Sequence, residues 1–235
     1  MALHRGRSII LFLPNLLLFA AGAAQASEIA GRISVQGSAA PPRAIKVEKD
    51  VSLCGPEQFS EKLLISFEGF IQNAVVSLEG DLPGEFPAAG LSLPVLDQKN
   101  CRFVPHVLIV PARSHFRVGN ADPVAHDVRA FEGGDMLFRF EMDAFQKPVE
   151  RQFEKPGTYV IRCGLHKWMH ALVVSAEHPF YAVTDAGGSF YMKEIPPGNY
   201  TLRIWHEVLG QARIPVDLSG GSVPDFRYAF SALDV

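Results

Sequence analysis

Between the runs GTYVIR and ALVVS the chain reads CGLHKWMH, which places Cys163, His166 and Met169 at three-residue intervals in a tight loop between two strand-like segments. A thiol, an imidazole and a thioether so close together offer one soft anionic donor, one intermediate donor and one weak neutral donor. His126, in NADPVAHDVRAF and 37 residues before Cys163, opens another strand-like run and adds a second imidazole. Thiolate and thioether favour copper(I), while imidazole suits copper(II). The four together therefore predict one copper ion able to change oxidation state with little rearrangement, Met169 being the weak axial partner.

Other chemistry fits less well. Structural zinc sites use Cys and His with occasional carboxylates, so Met169 has no place in one. The C-x-x-C-H pattern of attached haem is absent. A nucleophilic thiol paired with His needs neither a thioether nor a second imidazole from a distant strand. Each residue also has a plainer reading: Met169 as core filler, His166 as a loop histidine, His126 as a strand-start residue bonded to backbone.

Of the three cysteines, Cys54 in VSLCGPEQF and Cys101 in QKNCRFVPH sit in polar, turn-like surroundings without metal-ligand spacing, and they are expected to form a disulfide. Cys163 is then the free thiol, and a metal ion is the usual way to hold such a thiol in an oxidising compartment.

The amino terminus points to that compartment. MALHRGR is a short basic start, SIILFLPNLLLFAAGAA is an apolar run broken by Pro14, and Ala24-Gln25-Ala26 is a small-residue cleavage site, so residues 1–26 read as a secretory signal rather than a retained span. Periplasmic localisation follows. Without Arg5 and Arg7 the formal net charge moves from −3 to −5. An acidic chain lacks the basic face that phosphate backbones require, so nucleic acid is not expected as a partner.

The rest must position the four donors. EIAGRISVQG, KLLISF, NAVVSLEG, FVPHVLIVPA, AHDVRAF, GTYVIRC and ALVVSA alternate or are β-branched, and Gly and Pro interrupt any helical period. The fold class is all-β. GEFPAAGLSLPVLDQKNC has the composition of a long connection. After VVSAEHP the character changes: four strand-like runs are divided by D-A-G-G, I-P-P-G-N and V-L-G-Q turns. A boundary near Glu177 gives a first domain over 27–176 and a second over 177–235. The second is too short to be comfortable alone, so it packs on the first or borrows strands from it.

PVAHDV followed by GTYVIRCGLHKWMHALVV resembles the cupredoxins, the small blue-copper proteins, in the branch with a short amicyanin- or plastocyanin-like ligand loop. The resemblance covers roughly residues 100–175. It implies an eight-stranded Greek-key β-sandwich and one type 1 copper ion ligated by His126, Cys163, His166 and Met169. Many cupredoxins carry Asn directly after the first ligand histidine, where it ties the two ligand loops; here the residue is Asp127. VTDAGGSFYMKEIPPGNYTLRIWHE resembles the carboxypeptidase-regulatory, or transthyretin-like, β-modules. Such modules serve as scaffolds or binding surfaces, so no catalytic residue is carried over. Exported proteins of methylamine-utilisation type that join both modules are similar overall.

Several residues have two readings. His106 either joins a second metal site or makes a structural hydrogen bond. His170 is expected on the face opposite Met169. Trp168 either forms an apolar docking patch beside the metal loop or packs under the second domain. Alternation separates His206 from Glu207 in WHE, and His115, His178 and His206 are expected at the surface or in turns. The leading expectation is a non-enzymatic one-electron carrier serving a periplasmic redox partner. The alternatives are a copper-handling or maturation accessory with a client protein, and a non-metal carbohydrate- or protein-binding β-module.

Overall fold

A computed structural model describes residues 26–37, 41–84 and 93–231. The signal segment, but for Ala26, lies outside the described residues, as does most of the connection ahead of Pro94. Among the described residues the architecture is all-β, with one short helix at Val51–Cys54, and no helix is long and apolar enough to cross a membrane.

The first unit has a five-stranded sheet in the order Asp135–Met142, His126–Glu132, Gly157–Cys163, His170–Ala176 and Val107–Pro111. The last pair is parallel and the others antiparallel. A four-stranded sheet in the order Val149–Gln152, His115–Val118, Val95–Lys99 and Arg102–Val104 shares its core. Leu96, Phe103, Phe116 and Val118 from this sheet meet Val128, Ala130, Tyr159, Ile161, Ala171 and Val173 from the other. The two sheets hold nine strands, one more than the eight implied by the resemblance. Val95–Lys99 and Arg102–Val104 form a hairpin around Asn100 and Cys101, both at positive φ (55° and 56°), as a two-residue hairpin turn requires.

The second unit draws strands from both ends of the chain. Ser189–Ile195, Ser27–Val35 and Val223–Phe230 make one sheet; Tyr181–Val183, Val75–Glu79, Asn199–His206 and Gly210–Asp217 make another. Residues before 80 therefore complete the sheets of residues after 180, and the carboxy-terminal run does borrow strands. Ile29, Ile33, Val76, Leu78, Phe190, Ile195, Leu202 and Ile204 form its core. The closing strand Val223–Phe230, absent from the sequence reading because Pro224 and Asp225 interrupt its pattern, lies parallel to Ser27–Val35. In the D-A-G-G turn, Asp185 Oδ1 accepts the backbone N–H groups of Gly187 and Ser189 at 2.8 Å, and Gly188 takes the left-handed φ of 69° that the turn needs.

A third cluster joins the two units. In His170–Ala176, Ala171 and Val173 point into the first core, while Leu172 and Val174 point the other way and meet Val75, Tyr181, Val183 and Trp205. A strand buried on both faces reads as a nearly continuous apolar run, which explains ALVVSA. Leu172→Ala should lower stability by about 2–5 kcal/mol, the usual range for a buried Leu truncation. Urea unfolding followed by tryptophan fluorescence checks this; a loss below about 1 kcal/mol would mean the seam contributes little to folding.

Candidate metal centre

Three strands present the donors. His126 opens one, Cys163 closes its antiparallel neighbour, and the loop from Gly164 to Met169 leads into His170–Ala176. The Gly164 N–H donates to the Asp127 carbonyl at 2.8 Å, the Met169 N–H to the His166 carbonyl at 3.0 Å, and the Cys163 N–H to the Met169 carbonyl at 3.3 Å. These bonds curl the loop so that His166 returns over Cys163. Gly164 is required by space: a Cβ there would collide with the Asp127 carboxylate and the Arg129 guanidinium.

The result is a closed cage. His126 Nδ1 and His166 Nδ1 lie 3.0 Å apart, and Cys163 Sγ lies 3.8 Å from the first and 3.7 Å from the second. His126 and His166 are both 0% exposed, Cys163 4% and Met169 2%. Met169 belongs to the same buried cluster as Cys163. The structure thus brings His126, Cys163 and His166 together and places Met169 in the apolar packing beside them.

Carboxylates fix both imidazoles. Asp122 Oδ2 accepts from His126 Nε2 at 3.0 Å, and Asp50 Oδ2 accepts from His166 Nε2 at 2.8 Å. An ionised carboxylate only accepts, so each Nε2 carries its proton and each Nδ1 is turned inward. Two inward nitrogens and a sulfur at these separations need a cation between them. An ion bound at about 2.0–2.3 Å from nitrogen and sulfur would span the same donor separations. Two imidazoles and one thiolate, with a thioether close by, are the donor set of a type 1 copper site.

The electrostatics agree. Burial alone would raise the Cys163 thiol, but hydrogen bonds from His126 and His166 and from the backbone N–H groups of Asp127 and His166 outweigh it and bring the thiol down to about 6. His166 shifts upward: burial opposes its charge, and the Cys163 thiolate and Asp50 more than compensate. Asp127, 1% exposed, does not tie the loops through its side chain as the usual Asn does. Its backbone makes that tie, and its carboxylate pairs with Arg129 and Arg139. Burial pushes the Asp127 carboxyl up, and the two guanidiniums hold it below the ordinary value.

The disulfide Cys54–Cys101 is present and reaches the site. Cys54 ends the short helix that follows Asp50, and the carbonyl of Cys101 accepts the Trp168 Nε1–H at 3.0 Å. Asp122 also accepts the N–H groups of Asn100 and Cys101, at 2.6 and 2.9 Å. One covalent bridge thus anchors the segments that cap His166, hold Trp168 and orient His126. Trp168 is half-buried against the first core, its ring 5.1 Å from that of His166.

Asp122 lies within the same NADPVAH stretch as His126, four residues earlier, and that spacing was the available signal. Asp50 is 116 residues from His166 and gave none. His106, His170 and Glu207 form a second group. His206 is neither at the surface nor in a turn: it is the buried last residue of the strand Asn199–His206, its Nδ1 accepts the Val208 N–H at 3.3 Å, and burial pushes its imidazole down to about 4.

No protein-family model matches the chain, and no curated protein matches it. Solved structures do. A purple cupredoxin from Nitrosopumilus maritimus is 23% identical over 35% of this chain and 96% of its own, with a TM-score of 0.31. Amicyanin from Paracoccus versutus is 17% identical over 43% of this chain and 97% of its own, with a TM-score of 0.33. A copper-containing nitrite reductase from Thermus scotoductus is 19% identical over 43% of this chain and 25% of its own, with a TM-score of 0.33.

The depressed thiol gives a pH prediction with a definite sign. The folded chain binds fewer protons at Cys163 than the unfolded chain between about 6 and the ordinary 9.0, so this group's contribution to stability is present above that window and is lost as pH falls through about 6. Ultraviolet thiolate absorbance of metal-free protein should titrate near pH 6. A midpoint near 9.0 would contradict the hydrogen-bonded cage.

Proposed function

We propose that the chain is an exported, mononuclear blue-copper protein that transfers one electron in the periplasm. His126 Nδ1, Cys163 Sγ and His166 Nδ1 would hold the ion, and Met169 would be its weaker fourth ligand. The supporting observation is the buried set of three inward donor atoms, each within 3.8 Å of the others. Copper, when bound, supplies reversible one-electron chemistry. Cys163 offers a thiolate at neutral pH, Asp122 and Asp50 keep both imidazoles oriented, and the surrounding apolar side chains exclude water.

His166 has no exposed edge, so exchange with a partner passes the Asp50 and Trp168 side of the loop. Lys46, Lys49 and Lys167 are exposed around that side against one exposed carboxylate, Glu48, and a partner with an acidic rim would be steered to the net positive patch. Trp168 is the apolar element of this docking patch. At low salt, reduced protein should therefore give its electron faster to an anionic complex such as hexacyanoferrate(III) than to a cationic oxidant of similar potential. The preference should shrink as salt rises; indifference to oxidant charge would contradict the basic rim.

The full burial of His166 favours one second reading, a copper-handling or maturation accessory for a periplasmic enzyme of methylamine-utilisation type. In that reading residues 177–235, a carboxypeptidase-regulatory-like module, bind the client. A carrier keeps its copper through repeated redox cycles, whereas an accessory surrenders it to a client or a competing chelator.

Copper(II) titration of the purified protein, followed by visible absorption and electron paramagnetic resonance beside Cys163→Ala, tests the metal assignment. The expected result is an intense thiolate-to-copper band with narrow copper hyperfine splitting, both lost in the variant. A protein that takes up copper without that band, with Cys163 still open to alkylation, would overturn it.

A further inference from the structure

His106 immediately precedes, and His170 begins, two neighbouring parallel strands of the first unit, and the Leu172 N–H donates to the His106 carbonyl at 2.8 Å, which fixes the strand starts side by side. Glu207 reaches them from the turn after Asn199–His206 in the second unit. Its Oε1 lies 2.6 Å from His106 Nε2 and its Oε2 lies 3.6 Å from His170 Nε2, and the two imidazole centroids are 5.3 Å apart. The three side chains offer ligand atoms within 4.8 Å of one another.

Hydrogen bonding leaves this group incomplete. His170 makes no hydrogen bond through either ring nitrogen: Nδ1 is buried without a partner, and Nε2 is beyond hydrogen-bond reach of Glu207. His106 is 6% exposed and its Nδ1 is likewise unpartnered. On the side that faces Glu207, His106 Nε2 is hydrogen-bonded and His170 Nε2 is not, and two imidazoles on one carboxylate are more than an ion pair requires. A cavity of about 320 Å³ borders both histidines and supplies a way in for an ion and room for a further ligand.

We propose that His106, His170 and Glu207 form a second metal site for a divalent ion of the zinc class, which cross-links the two units of the chain. Two imidazoles and one carboxylate with an open position are a donor set that zinc and related divalent ions accept. Its ligands are harder than those of the Cys163 cage, since no sulfur takes part, so the two sites differ in the ions they select. Lys62, Arg162 and Lys167 also border the cavity and would favour an anion as the further ligand.

Zinc(II) titration by calorimetry in a Cys163→Ala background, which disables the thiolate cage, tests this site. One zinc per chain should bind, and adding Glu207→Gln or His106→Gln should weaken it by more than the roughly 10–100-fold that loss of an outer-shell partner costs. Adding His126→Gln instead should leave it unchanged, and zinc should raise the melting temperature only where Glu207 and His106 are intact. Binding that survives both second-site variants but disappears with His126→Gln would put the ion at the His126–His166 pair and overturn the proposal. Absence of zinc binding in folded Cys163→Ala protein would overturn it as well, leaving His106–Glu207 as a buried ion pair between units. These outcomes are independent of whether the Cys163 cage takes copper.

Discussion

Each imidazole of the cage is held at Nε2 by a carboxylate, so the other nitrogen of each ring can only face inward. From that constraint the site follows: Asp122 and Asp50 decide which nitrogens reach the centre, and a proton or metal ion has to reconcile the two nitrogens and the sulfur found there. A free imidazole pair would rotate to relieve the contact. Held in this way it is preorganised for a cation.

Much of the first unit serves to hold those two carboxylates. The Asn100–Cys101 turn donates two backbone N–H groups to Asp122, and the bridge from Cys101 to Cys54 ties down the short helix that follows Asp50. The same turn accepts the Trp168 indole. The larger amino-terminal half, which exceeds what four ligands need, thereby has a mechanical role: it builds a cover over His166. Closure of that edge separates this site from one whose loop histidine meets solvent. The carboxy-terminal unit contributes none of the residues just named. It meets the first unit on the far face of His170–Ala176, where Leu172 and Val174 join the seam and Glu207 approaches His106.

The donor set was legible because its members carry distinctive chemistry at short spacing: CGLHKWMH states three of the four residues, and strand pairing supplies His126. The disulfide was legible by elimination among three cysteines. Strand positions were readable where one face is buried, as in Asn199–His206, whose burial alternates. Partnership between distant segments was not. Nothing in KDVSLC indicates that Asp50 will bond a histidine 116 residues away, and WHE gives no sign that Glu207 will pass over its neighbour His206 to reach His106. Such contacts depend on how sheets stack, and a local pattern does not encode stacking. The parallel strand Val223–Phe230 was hidden for a related reason: it is an edge strand, where Pro is tolerated and alternation is weak.

The most direct test of the central claim is anomalous diffraction at the copper edge from crystals of the copper-loaded protein, compared with metal-free crystals. The account predicts one copper peak bounded by His126 Nδ1, His166 Nδ1 and Cys163 Sγ, with both Nε2 atoms still on Asp122 and Asp50 and the rings essentially unmoved. A peak elsewhere, or copper bound only after His166 has swung away from Asp50, would show that the carboxylates do not preorganise the cage.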